Sequence, residues 1–340
     1  MARKRKIAIG AAIALVVVAG SLFLLRKPIS ALMFDWFVAG SIEDQLEQTY
    51  QPVRQIGGEQ EATEELPVLT EPFSMLLVGS DQRDNETARS DTLIYAVMRP
   101  LESKVLLISI PRDTYTEIVG KNKKDKINHA FAFGGIEMTM DTVENLMDEK
   151  LQYYATINFQ GLIDSVDALG GIKLPIEEDI VNKDPNHEQF TIKGGKPIYS
   201  GQEALYYVRY REDSDFRRTK RQQIFLQALA DQAIQLNQVE KIPQLLNIMG
   251  TNFKTDMRPQ TITGLASQIL RTGKPAVTSF TIAGDGEYVD GVYYEVPRES
   301  EIKEARDLIN EWMKSDASDS DINNRDSADG ATDTAGSLIH

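Results

Sequence analysis

Three short runs decide the architecture: FSMLLVGS at 73–80, DTLIYAVM at 91–98 and KVLLISI at 104–110. Each is apolar almost throughout and too short for an ordinary helix. A half-exposed strand alternates polar and apolar residues, so runs of this kind read as buried strands. Pro100 and Ser103 punctuate the gap between the second and third, which reads as a hairpin.

Farther along, GIEMTMDTVENLMDEK (135–150) sets Ile136, Met140, Val143 and Met147 at helical spacing. YYATINF (153–159) alternates like a strand, and QGLIDSVDALGG (160–171) reads as a helix closed by glycines. IKLPIEEDI reads as strand or hairpin, and the polar stretch 182–200 as a surface loop. A short helix is expected at 201–208, a long one at 216–237, and others near 239–249, 259–271 and 298–313, with a late strand at 277–283. Strands mixed with helices in this way imply one α/β domain with a central sheet.

The start is MARKRK, followed by an apolar run from Ile7 to Leu25 and then Arg26 and Lys27. About 20 apolar residues cross a bilayer, and the bases before the run favour a cytoplasmic N-terminus. A cleaved signal peptide is the competing reading. The chain therefore divides into a cytoplasmic tail (1–6), a transmembrane helix (7–25), a juxtamembrane connector (26–71), an extracellular domain (72–314) and an acidic tail (315–340). That tail is rich in Asp, Ser, Asn and Gly, a composition that cannot offset the entropy of ordering.

Cysteine is absent, which excludes disulfides and thiolate metal sites. The first 27 residues hold six bases and no acid, leaving 31 bases against 51 acids, a net charge of −20. Such a body repels nucleic acid. Against it, arginines cluster at strand ends and on one helix, in GSDQR (79–83), ARSDT (88–92), SIPRDTY (109–115) and YVRYREDSDFRRTKRQQ (207–223). Arginine forks grip phosphate oxygens, and Asp81 and Asp91 can hold a hard cation beside them. Taken singly, an arginine on a helix face is an ordinary solvated or salt-bridged residue. Arg218 and Gln222, however, stand four apart and share a face, and Arg221 lies near it.

Seven ordered motifs, LLVGSDQR, ARSDT, SIPRDTY, KINHAFAFGG, VDALGGI, ALYYVRYR and DFRRTKRQQ, resemble those of the LytR-CpsA-Psr family over roughly residues 73–235. The resemblance implies a central mixed β-sheet flanked by helices, one preceding transmembrane helix, and a catalytic domain outside the cell membrane. It implies transfer of a glycopolymer, wall teichoic acid or a similar polysaccharide, from a polyprenyl-pyrophosphate carrier to peptidoglycan. On these motifs Asp81 and Asp91 match the aspartates associated with Mg²⁺. Arg89, Arg112, Arg209, Arg211, Arg218 and Gln222 match the pyrophosphate-binding set. The family often has DFGR where this chain has DFRR, so Arg218 rather than Arg217 is taken as the ligand.

Arginines and a metal would neutralise the pyrophosphate by fixed electrostatics while a sugar hydroxyl attacks phosphorus. Asp113 and Asp91 are the candidate general bases. The aspartates can equally serve only to balance the arginines in a salt-bridge network. Asn128 and His129 in KINHAF are not given roles. Three other functions compete: a hydrolase of the same pyrophosphate, a non-catalytic binder of the lipid-linked polymer, and a transcriptional attenuator, which the acidic body and apolar run oppose.

Overall fold

A computed structural model of the chain describes residues 46–54, 69–81, 90–185, 188–210, 215–234 and 252–315. Its centre is a six-stranded mixed sheet in the order β10-β3-β2-β1-β6-β9. These strands are β1 (Phe73–Ser80), β2 (Ser90–Arg99), β3 (Lys104–Ile110), β6 (Tyr153–Asn158), β9 (Phe253–Thr255) and β10 (Ala276–Thr281). β1, β2 and β3 pair antiparallel in succession, while β6 joins β1 and β10 joins β3 in parallel.

The unbroken apolar character of β2 follows from its place. Leu93, Tyr95 and Val97 enter one core with Met140, Val143, Leu308 and Trp312. Ile94 and Ala96, between them in sequence, enter a second core with Val105, Leu107 and Leu226. Both faces of the strand are covered, so neither can be polar.

One face carries α1 (His129–Met147) and α6 (Glu299–Trp312). The other receives α4 (Asp215–Ile234), which reaches the sheet through Leu226. A separate core joins α2 (Phe159–Ala168), α3 (Gly201–Arg209) and α4 around Val166, Leu205 and Phe225. α3 begins with a capping box in which Ser200 and Glu203 each bond the other's backbone N–H. α5 (Pro259–Thr272) precedes β10.

Short hairpins decorate the sheet: β4 (Tyr115–Ile118) with β5 (Lys123–Lys126), β7 (Ile180–Asn182) with β8 (Phe190–Ile192), and β11 (Gly284–Val289) with β12 (Val292–Pro297). β7 begins at the end of IKLPIEEDI, the segment that reads as strand or hairpin, while β8 falls inside the stretch 182–200 that the sequence presents as a loop. α1 extends back to His129 across a break at Gly134 and Gly135, rather than starting at 135.

Two anchors close the domain. Arg99, fully buried at the end of β2, donates to the Trp312 and Lys314 carbonyls and to Glu102. It thus satisfies carbonyls at the end of α6 that the helix leaves without partners. Within the connector, residues 46–54 pack on the domain. Leu46 is buried, Gln51 N–H donates to the Thr255 carbonyl, and Arg54 pairs with Glu144 and Asp141.

Among the described residues no helix is long and apolar enough to cross a membrane. The apolar run 7–25, the helix expected near 239–249 and the tail beyond 315 lie outside them.

Candidate functional site

The site forms where β1, β2 and β3 end together. In the β1–β2 ladder Gly79 faces Thr92, but Ser80 faces Ser90. Asp91 is therefore an extra residue, a bulge of the kind that re-aims a side chain. Its carboxylate meets Arg112, two residues beyond β3, with Nη1 donating to Oδ1 at 2.9 Å. Arg218, on the first turns of α4, donates from Nη2 to the Asp91 carbonyl at 2.9 Å and stands 3.5 Å from Oδ1. Arg218 is 3% exposed, although it is a full cation. Burying a charge is costly unless it is paired, which marks this position as specialised.

Asp113 extends the cluster. Its Oδ2 lies 3.4 Å from Arg112 Nε, and Lys126 Nζ is 2.9 Å from its Oδ1. Asn128 N–H donates to the Arg112 carbonyl at 3.2 Å, fixing the backbone behind the guanidinium.

α4 is tied down on both sides. Arg221 donates to the Tyr207 carbonyl at 3.0 Å and to the Tyr210 carbonyl, satisfying the end of α3. Gln223 donates to Ser109 Oγ at 3.0 Å and Thr281 Oγ1 at 3.3 Å, clamping α4 to the ends of β3 and β10.

Behind the charged cluster lies a cavity of about 210 Å³ between the sheet, α2 and α4. Leu77, Ile94, Ala155, Leu162, Phe225 and Leu229 are among the residues that line it, and Gly79, Thr92 and Gln222 also face it. Thr92 is the neighbour of Asp91, and Gln222 is one turn from Arg218. The charged and apolar sites are therefore neighbours along β2 and α4.

The contacts thus bring together Asp91, Arg112, Asp113 and Arg218, while Gln222 lines the neighbouring cavity. The Arg209 guanidinium stacks over Phe159 at 4.8 Å and stands 3.8 Å from Glu188. Asp81 directly follows β1, beside the bulge. Arg89 and Arg211 lie outside the described residues. Among the described residues no group of three or more acidic or histidine side chains forms a metal cluster. The ties made by Lys126 and Gln223 emerge only from the structure, although Lys126 opens the KINHAF motif; Arg221, placed near the Arg218–Gln222 face by its spacing, instead holds the end of α3.

An apolar cavity and an arginine–aspartate cluster thus stand at neighbouring positions of β2 and α4. The LytR_cpsA_psr family profile matches residues 43–311, and the chain belongs to that family. Similar curated proteins include two named polyisoprenyl-teichoic acid–peptidoglycan teichoic acid transferase TagU. That of Bacillus licheniformis is 35% identical over 237 residues, 69% of this chain and 76% of the relative. That of Halalkalibacterium halodurans is 39% identical over 236 residues, covering 68% and 76%. Among solved structures, B. subtilis TagV superposes with a TM-score of 0.63 at 30% identity, covering 72% of this chain and 98% of that one. TagT bound to LIIa-WTA gives 0.59 at 27% identity, covering 75% and 97%.

Proposed function

We propose that this chain transfers a teichoic-acid-type glycopolymer from a polyprenyl-pyrophosphate carrier to peptidoglycan. The observation that carries the reading is the placement of the apolar cavity next to the Asp91–Arg112–Arg218 cluster, with Thr92 and Gln222 lining it beside Asp91 and Arg218. A polyprenyl tail needs the first and a pyrophosphate the second. The names of the TagU relatives and the TagT complex support the same substrates.

In the reaction an acceptor hydroxyl attacks the phosphorus that bears the polymer. The bond from that phosphorus to the bridging oxygen breaks, polyprenyl phosphate leaves, and a phosphodiester remains on peptidoglycan. Arg112 and Arg218 hold the phosphate oxygens and stabilise charge as it moves to the leaving group. The hydroxyl proton passes to a carboxylate, Asp113 or Asp91.

Asp81 and Asp91 supply hard oxygen donors of the kind Mg²⁺ takes together with substrate phosphates. Asp91 already accepts from Arg112, so the metal would share that carboxylate. When bound, Mg²⁺ would supply further neutralisation of the pyrophosphate. The apolar run 7–25 is proposed as a retained anchor that leaves the domain outside the cytoplasmic membrane, because four bases precede it.

Incubation of the full chain in detergent with a lipid-linked glycopolymer and peptidoglycan tests the reading. Mass spectrometry of wall fragments should show polymer joined by a phosphodiester. Release of soluble polymer alone would make the chain a hydrolase, and intact donor with no product would make it a binder.

A further inference from the structure

The transfer reaction needs a second substrate, and the apolar cavity with the charged cluster beside it serves only the first. The surface next to Asp113 differs in character. β4 starts two residues after Asp113, and the Thr114–Glu295 bridge, with Glu295 N–H donating to the Asp113 carbonyl at 2.9 Å, brings the β11–β12 hairpin alongside. Tyr115 and Tyr294 then meet with ring centroids 4.7 Å apart. Lys126, the partner of Asp113, lies 5.7 Å from the Tyr294 ring, and Lys124 lies 5.7 Å from the Tyr115 ring.

This strip leads from the reacting cluster into an open groove of about 770 Å³ between the β4–β5 hairpin, α1 and α6. Tyr115, Glu117, Lys124, Asn145, Lys303 and Arg306 are among its walls. Strand alternation explains why the strip is wet. Tyr115, Glu117, Lys124 and Lys126 share the outer face of the β4–β5 pair, while Thr116, Ile118 and Asp125 are buried on the other.

We propose that this groove and the Tyr115–Tyr294 pair hold the acceptor glycan strand of peptidoglycan, and that they deliver its hydroxyl to the side of the cluster marked by Asp113. The proposal rests on the transferase reading. Tyrosine faces give apolar area for sugar rings and carry a hydroxyl at the wet end. Amide, lysine, arginine and carboxylate groups of both signs suit hydroxyls, amides and carboxylates of a glycan with peptide stems. The walls also lack the apolar enclosure that the lipid cavity has, so a second lipid tail would not find shelter here.

The test uses the full chain in detergent, with soluble glycan-strand fragments of peptidoglycan as acceptor. Lys124→Glu, at an exposed position, and Tyr115→Ala should each raise the KM for the fragments by about ten-fold and leave the KM for the lipid-linked donor unchanged. Tyr294→Phe, which keeps the ring pair, should stay within about two-fold of wild type, roughly a third of that logarithmic step. Tyr288→Ala, on the far side of the β11–β12 hairpin, should change neither constant. Acceptor KM values unaltered in both Lys124→Glu and Tyr115→Ala, with transfer intact, would overturn the groove and leave the transferase standing. Fragment binding by titration, lost in Lys124→Glu, in a wild-type chain that transfers nothing would keep the groove and overturn the transferase.

Discussion

The cavity beneath α4 and the charged cluster beside it draw on the same strands, yet they follow opposite rules. Inside, Leu77, Ile94, Ala155 and Phe225 expose almost nothing polar to the space they enclose. One residue beyond Thr92, the bulge turns Asp91 into a nest of guanidinium groups. A single β-bulge therefore separates a region governed by apolar burial from one governed by fixed charge. On the proposed function, binding and chemistry would be divided along one ligand: the tail would supply affinity, and the head would meet preorganised charges.

Breaking the charged side should have the largest effects. Chelation of Mg²⁺ should stop transfer altogether while leaving binding of the lipid tail in place, as read by displacement of a fluorescent polyprenyl probe. Full activity of metal-free enzyme in chelator would leave the arginines as the sole charge stabilisers. Next comes Arg112→Ala, expected to lower the transfer rate by about 100-fold, in the range found when one stabilising donor is removed from a reacting site. Arg112→Lys should recover only part of the rate, since lysine lacks the planar fork.

On the apolar side, Ala155→Leu should fill part of the cavity. Affinity for a long-chain donor should drop by about ten-fold, as expected for ~1.4 kcal/mol of lost tail burial. A short-chain pyrophosphate should bind as before, which calorimetry can check. Equal losses for both donors would dissolve the distinction between the two regions.

The smallest effect lies outside both. Asp256 is buried; its Oδ1 accepts the Tyr154 N–H at 2.8 Å, and its Oδ2 has no hydrogen-bond partner. Burial pushes its carboxyl up to about 6. Between about pH 4 and 6 the folded chain holds a proton that the unfolded chain has lost, so this residue's contribution to stability falls as pH rises through that window. Asp256→Asn should therefore raise the melting temperature at pH 7.5 and give no gain at pH 4. Activity should be unchanged, because the residue touches neither region.

Much of this division can be read from the chain. β1, β2 and β3 declare themselves because strands covered on both faces cannot carry alternating polar residues. Arg112, Arg218 and Asp91 stand out by type and position. Their contact does not, since it depends on a one-residue bulge and on where α4 crosses the strand ends. Arg209 shows the converse: its motif groups it with the phosphate ligands, while its guanidinium rests on Phe159. The β4–β5 hairpin also escapes pattern reading, because KKDK has no apolar face of its own and is paired through Tyr115 and Ile118. For β11–β12 a signal exists in Asp290-Gly291, whose positive φ angles of 51° and 79° form the tight turn such a dipeptide favours. On one side GDGEYV, with two glycines and two acids, obscures the strand, although VYYEVP on the other is rich in strand formers.

The claim that one ligand spans both regions is tested most directly by calorimetric titration of the full chain with polyprenyl pyrophosphates of increasing length. Affinity should climb with each added isoprene until the cavity is full and then level off, and Arg112→Ala should lower every point by a similar factor. Affinity independent of chain length, or affinity left unchanged by Arg112→Ala at every length, would contradict it.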